Sequence, residues 1–121
     1  MTLYGTPEEL DRRTRSRFES VTMDGEEFVI AGRASDGLLP RWSTRVVVTT
    51  ERVLSIRHVV LEWSVEGVRH RRITNVRAVS GDSPGIVVEE DRTFTTEYTF
   101  GETATRDALL AKIRELAAAT A

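Results

Sequence analysis

Arginine is the residue type in this sequence with the clearest chemical use, and Arg41-Trp42-Ser43-Thr44-Arg45 is its most suggestive spacing. In an extended segment, alternate residues share a face, so Arg41, Ser43 and Arg45 would line up together. A planar guanidinium donates paired hydrogen bonds to a phosphate or carboxylate, which makes the pair a candidate anion grip. Trp42, at what reads as a loop tip, has the amphipathic ring that settles at membrane interfaces. Arg33 stands on the other side of the same loop. The plainer reading is a set of surface ion pairs, each worth little. Arg41, Trp42 and Arg45 are the candidate ligand-binding residues.

The other possible chemistry is thinner. Arg12, Arg13, Arg15 and Arg17 crowd one segment, but no aromatic residues interleave them as single-strand stacking would need. Glu8, Glu9, Asp11 and Glu19 lie in the same stretch and offer pairing one helical turn away, so a solvated helix is expected there. Arg69, Arg71 and Arg72 form a second cluster around His70. His58 should sit near a strand end, and His70 should be solvated or loosely paired. Two histidines with no third ligand do not make a metal site. Glu89-Glu90-Asp91 reads as a solvated hairpin tip, not as a catalytic carboxylate pair. Gly81-Asp82-Ser83-Pro84-Gly85 lacks the Lys-Ser/Thr of a phosphate loop and reads as a connection. There is no Gly-x-Ser-x-Gly elbow. No catalytic residue, cofactor or metal is expected.

Composition narrows the classes further. The chain has 121 residues, a net charge of -2 and no cysteine, which excludes disulfides and thiolate chemistry. Lys112 is the only lysine beside 16 arginines spread over every segment, a pattern that looks like codon bias in a GC-rich genome. The near-neutral charge argues against a whole-surface nucleic-acid binder. The longest apolar runs are four residues, as in Phe28–Ala31, far short of the about 20 a membrane span needs. The N-terminus has neither the basic nor the apolar region of a secretory signal. A cytoplasmic protein, with a peripheral membrane position as the alternative, is expected.

The elements that must position these residues follow from period. Thr6-Pro7-Glu8-Glu9 reads as a capped helix start, with the helix running to about Phe18 or Val21. Its apolar stripe, Leu10, Phe18 and Val21 with Thr14 between, is thin, so loose packing or a partner is expected. Met23 to Glu26 is a turn. From Glu27 to Phe100 short β runs alternate with turn signals, giving about seven strands and an antiparallel sandwich or barrel. Val46-Val47-Val48 suggests a strand buried on both sides or one beside a bulge. Thr93 to Phe100 alternates cleanly, with Phe94, Thr96, Tyr98 and Phe100 on one face. Thr103 or Thr105 should cap a last helix whose face is Leu109, Leu110, Ile113, Leu116 and Ala117. Arg106 should lie mostly outside that face.

This order resembles the small prokaryotic pleckstrin-homology-like (bacterial PH) domains. The likeness is carried by Val46 to Leu54, by Val68 with Arg71-Arg72-Ile73-Thr74-Asn75-Val76, and by Thr93 to Phe100 with the helix Thr105 to Ala118. Arg69 and His70 stand where that family often has a proline and an aromatic. The resemblance implies a mainly β fold with helices, a seven-stranded bent antiparallel barrel closed by a C-terminal helix. Residues 1–24 would be an extra N-terminal helical extension and 25–121 the domain. It implies a non-catalytic interaction or self-assembly module, with a protein partner or a second copy as its target. An anionic lipid head group or phosphate at the Arg41, Trp42 and Arg45 hairpin is the alternative, and an enzyme with an unrecognised site the third reading. Nucleic acid is not expected.

Overall fold

The computed structural model describes residues 2–35, 43–59 and 62–120. Eight strands appear among them: β1 (Leu3–Tyr4), β2 (Phe28–Ala34), β3 (Ser43–Thr49), β4 (Arg52–Val59), β5 (Glu62–Arg69), β6 (Ile73–Ser80), β7 (Pro84–Glu90) and β8 (Phe94–Thr99). Helix α1 spans Arg12–Val21 and helix α2 spans Thr103–Ala119. Every pairing is antiparallel, in a five-stranded sheet ordered β1-β2-β3-β4-β5 and a three-stranded sheet ordered β6-β7-β8. The expectation of seven strands in one barrel is therefore corrected to two sheets. They meet at an Ala34–Phe100 bridge and where the short turn His70–Arg72 joins β5 to β6. β1 escaped the sequence reading because two residues are too few to show an alternation.

β3 explains the layering. Val46, Val47 and Val48 are all fully buried, as a strand with cores on both faces requires. Val46 and Val48 face the space between the sheets, packing with Ile86, Val88, Phe100, Leu109 and Ile113. Val47 faces the other way, into a cluster with Tyr4, Leu10, Phe18, Leu54 and Ile56. That second core needs a lid, and the N-terminal segment supplies it. Leu10 ahead of the helix and Thr14 and Phe18, one helical turn apart, are buried, and Phe18 meets Phe28 edge-on at 5.9 Å between ring centroids. The expected loose packing of this helix is corrected: its stripe is thin, but the apolar face beneath it has no other cover.

The helix also starts later than the sequence suggested. Pro7–Glu9 forms one 3-10 turn, Leu10 is extended, and Asp11 caps α1 by accepting from the Thr14 backbone N–H at 3.1 Å. The Glu9 carboxylate is spent on the backbone N–H groups of Gly5 and Thr6.

A buried ion pair fixes the other end of α1. The Glu26 side chain is fully covered and accepts from Arg52 Nε at 2.8 Å, Arg52 Nη2 at 3.0 Å and the Thr49 hydroxyl at 2.6 Å. Arg52 Nη2 also donates to the Val21 carbonyl at 2.6 Å, which satisfies an acceptor at the helix C-terminus. The Thr49 hydroxyl oxygen in turn accepts from the Glu51 and Arg52 backbone N–H groups at 3.1 and 3.0 Å, shaping the β3–β4 turn. Burial pushes the Glu26 carboxyl up. The bonds from Arg52, Thr49 and the Met23 N–H outweigh it and hold the group below its ordinary value of 4.5.

On the inner side α2 comes close to β2 because Gly32 has no side chain. A Cβ there would stand 2.6 Å from Leu109 Cδ1 and 2.9 Å from Thr105 Cγ2. Arg106, expected outside the apolar face, is buried; its Nη1 donates to the carbonyls of Val79 at 3.0 Å and Gly85 at 3.2 Å. The helix thus grips β6 and β7 by a charged group whose Nη1 is met by backbone and whose Nε donates to the Asp107 carboxylate at 2.6 Å. Neither Thr103 nor Thr105 caps it; Glu102 is the cap residue, and the Thr105 hydroxyl lies 2.8 Å from that of Thr2. No helix among the described residues is long and apolar enough to cross a membrane.

Breaking the Glu26 pair leaves Arg52 uncompensated, so Glu26→Gln should cost about 3 kcal/mol in denaturant unfolding. Because the folded carboxyl titrates below its unfolded value, its contribution is complete above pH 4.5 and lost as pH falls through the lowered folded value. Wild type should therefore lose stability on acidification below that point faster than Glu26→Gln. Gly32→Ala should cost about 1–3 kcal/mol by overpacking, because buried Leu109 has nowhere to retreat; a thermal melt unchanged from wild type would refute the close approach.

Candidate functional site

Arg41 and Trp42 lie outside the described residues. Arg45, on β3, points to the outer face beneath the N-terminal segment, and its side chain is only 11% exposed. Its Nη2 stands 3.7 Å from the Asp11 carboxylate and its guanidinium 5.9 Å from the Tyr4 ring centre. Its Nε and Nη1 are buried without a hydrogen-bond partner among the described residues. Burial pushes the Asp11 carboxyl up, but the bonds from Thr14 and the charge of Arg45 hold it below its ordinary 3.8. Arg45 is thus placed where it helps hold the start of α1.

A concave feature lies beside it, between α1 and the β4–β5 hairpin. It is a groove of about 750 Å³ lined by Arg12, Arg13, Ser16, Arg17, Ser20, His58 and Trp63. The five helical residues fall on one side of α1, at spacings of one and two turns. His58 and Trp63 are directly paired across β4 and β5, where facing side chains touch. Their rings stack with centroids 4.4 Å apart and planes 26° apart. The Arg17 guanidinium lies over the Trp63 ring, 5.2 Å from its centre, so one arginine is tethered to the groove floor by a cation–π contact.

The arginines of this groove are unspent. Pairing one turn away with Glu8, Glu9, Asp11 or Glu19 was expected, and the structure corrects it. Glu9 is bonded to backbone and Asp11 caps the helix and faces Arg45. The ion pairs among the described residues use Arg45, Arg52, Arg72, Arg77, Arg106 and Lys112, and none uses Arg12, Arg13 or Arg17. None of the described lining residues is acidic. The arrangement can receive negative charge: three forked donors and two hydroxyls on one wall, with an aromatic pair opposite.

His58 and Trp63 were missed as site residues because they reach α1 only through the fold. The signal was present in part: His58 continues the Leu54, Ile56 face, and Trp63 opens the next strand. Elsewhere the structure closes other options. His70, expected to be solvated, is 1% exposed with Nε2 2.8 Å from the Thr49 carbonyl, and it sits at the opposite end of the hairpin from His58. No group of three or more histidine or carboxylate residues among the described residues could hold a metal. Glu90 and Asp91 face Arg72 at 3.8 and 3.0 Å on the half-exposed β7–β8 hairpin. The turn itself is Asp91-Arg92, both with positive φ.

No protein-family model matches the sequence. No curated protein matches it either. Solved structures do match in shape, among them the following two. A DUF1696 family protein with a pleckstrin-homology domain from Shewanella loihica PV-4 superposes with a TM-score of 0.63 at 14% identity, over 84% of this chain and 91% of that one. The linker-DH/PH region of p115-RhoGEF superposes with a TM-score of 0.64 at 14% identity, over 93% of this chain and 35% of that one. At this identity the likeness speaks for architecture alone, and it agrees with the layering of two antiparallel sheets and a C-terminal helix: the chain has a pleckstrin-homology-like fold.

Proposed function

We propose that this chain is a non-catalytic binding module that takes an anionic partner in the groove between α1 and the β4–β5 hairpin. The observation that carries this reading is the set of three arginines, Arg12, Arg13 and Arg17, that line one concavity and form no ion pair among the described residues. In a chain with net charge -2, cations left unpaired beside several carboxylates are a local field open to a ligand. The fold supports a module of this kind, since pleckstrin-homology-like architecture is a scaffold and its function depends on the sites it presents. The self-association reading has one observation in its favour: β5 is the last strand of its sheet among the described residues. Glu62, Glu66 and Arg69 along that strand blunt it as a pairing edge, so the groove is the better supported surface. The head-group reading at Arg41, Trp42 and Arg45 is the weaker alternative, because Arg45 is engaged beneath the N-terminal segment.

Titration calorimetry with tripolyphosphate at low salt reads the groove directly. Wild type should bind, and the double variant Arg13→Gln/Arg17→Gln should bind at least about tenfold more weakly, about 1.4 kcal/mol. Arg71→Gln, on the exposed turn after β5, should bind as wild type does. Equal affinity in wild type and the double variant would overturn the reading.

A further inference from the structure

Building on that anion-binding reading, we propose that the groove is shaped for an extended acidic peptide whose carboxylates alternate along its chain. Charge complementarity comes first. Arg12, Arg13 and Arg17 line the groove and none of them meets a carboxylate among the described residues. The spacing then selects the ligand. Arg13 and Arg17 are one turn apart, an axial rise of about 6 Å. Alternate side chains of an extended peptide are about 6.6 Å apart on one face. Two such carboxylates match two guanidinium forks in register, each able to make a bidentate pair. Ser16 and Ser20 repeat the one-turn step and donate hydroxyl groups along the same wall. From Arg12 to Ser20 the helix advances about 12 Å, the length of about four extended residues.

The floor argues against the other anions. A nucleic acid strand binds such sites by stacking bases on an open aromatic face. The Trp63 ring already carries His58 at 4.4 Å and Arg17 at 5.2 Å. A membrane surface calls for a ring that projects outward, whereas Trp63 is half-buried against the outer core. A lone phosphate leaves most of a groove of about 750 Å³ and the second end of the arginine stripe unfilled. The contact with Trp63 also holds Arg17 in place, so a carboxylate meets a guanidinium that is already positioned.

Two fluorescein-labelled octapeptides of equal charge test the register, one of four alternating Glu-Ala pairs and one of four Glu followed by four Ala. Anisotropy with the full chain should show the alternating peptide bound at least about fivefold more tightly than the block peptide. Arg13→Gln and Arg17→Gln should each weaken it about tenfold. Equal affinity for the two peptides overturns the register argument. Tighter binding of an eight-nucleotide thymidine strand than of either peptide overturns the choice of partner. If tripolyphosphate binding depends on the arginines while neither peptide binds, this inference falls and the anion-binding reading stands. If no anion responds to the arginine variants, both fall.

Discussion

The position of α1 rests on the buried contact between Glu26 and Arg52. That one carboxylate gathers Arg52, the Thr49 hydroxyl and the Met23 N–H, and Arg52 carries the connection on to the last carbonyl of α1. Turn, strand end and helix end are therefore locked by a single set of charge-assisted bonds around a covered carboxylate. At its other end the helix is held more lightly, by Asp11 as cap and as the distant partner of Arg45. The asymmetry follows from geometry: 2.8 Å and multiply bonded at Glu26, 3.7 Å and singly paired at Asp11.

From that constraint the outer core follows. With α1 held across the outer face of the five-stranded sheet, Leu10 and Phe18 cover Val47, Leu54 and Ile56, and β3 can be apolar on both sides. The arginine stripe then has a fixed direction. Phe18 must face inward, so Arg13 and Arg17, with Ser16 between them and Ser20 beyond, are turned toward His58 and Trp63 of the β4–β5 hairpin. Three of the acidic residues nearby are diverted to structural tasks: Glu9 to backbone, Asp11 to the cap, Glu26 to the clamp. A segment that is nearly neutral in sequence becomes a cationic wall in three dimensions.

The parts of this picture legible in the sequence were those governed by local period. The three consecutive valines marked a strand with two buried faces, the clean alternation from Thr93 to Phe100 marked β8, and the alanine-rich C-terminal segment marked α2. The parts that were not legible depend on long-range charge placement. Nothing local distinguishes Glu26, which enters the core, from Asp24, which stays exposed. Arg106 looked like a surface residue because its partners, the carbonyls of Val79 and Gly85, lie more than 20 positions upstream. The arginines of α1 looked cancelled because helical spacing predicts pairing and cannot show that a carboxylate is already committed. Trp63 and His58 are adjacent to those arginines only after β4 and β5 fold against α1.

The account turns on α1 being a docked layer of the structure that presents its arginines, not a loose appendage. Amide hydrogen exchange across Arg15–Val21 measures this most directly, because a docked helix opens only with the elements that hold it. The account predicts that these amides exchange nearly as slowly as those of β3 and β4 in wild type, and become much faster in Glu26→Gln while β7 and α2 remain protected. Exchange of α1 at the rate of an isolated helix in wild type, whatever the state of Glu26, would contradict it.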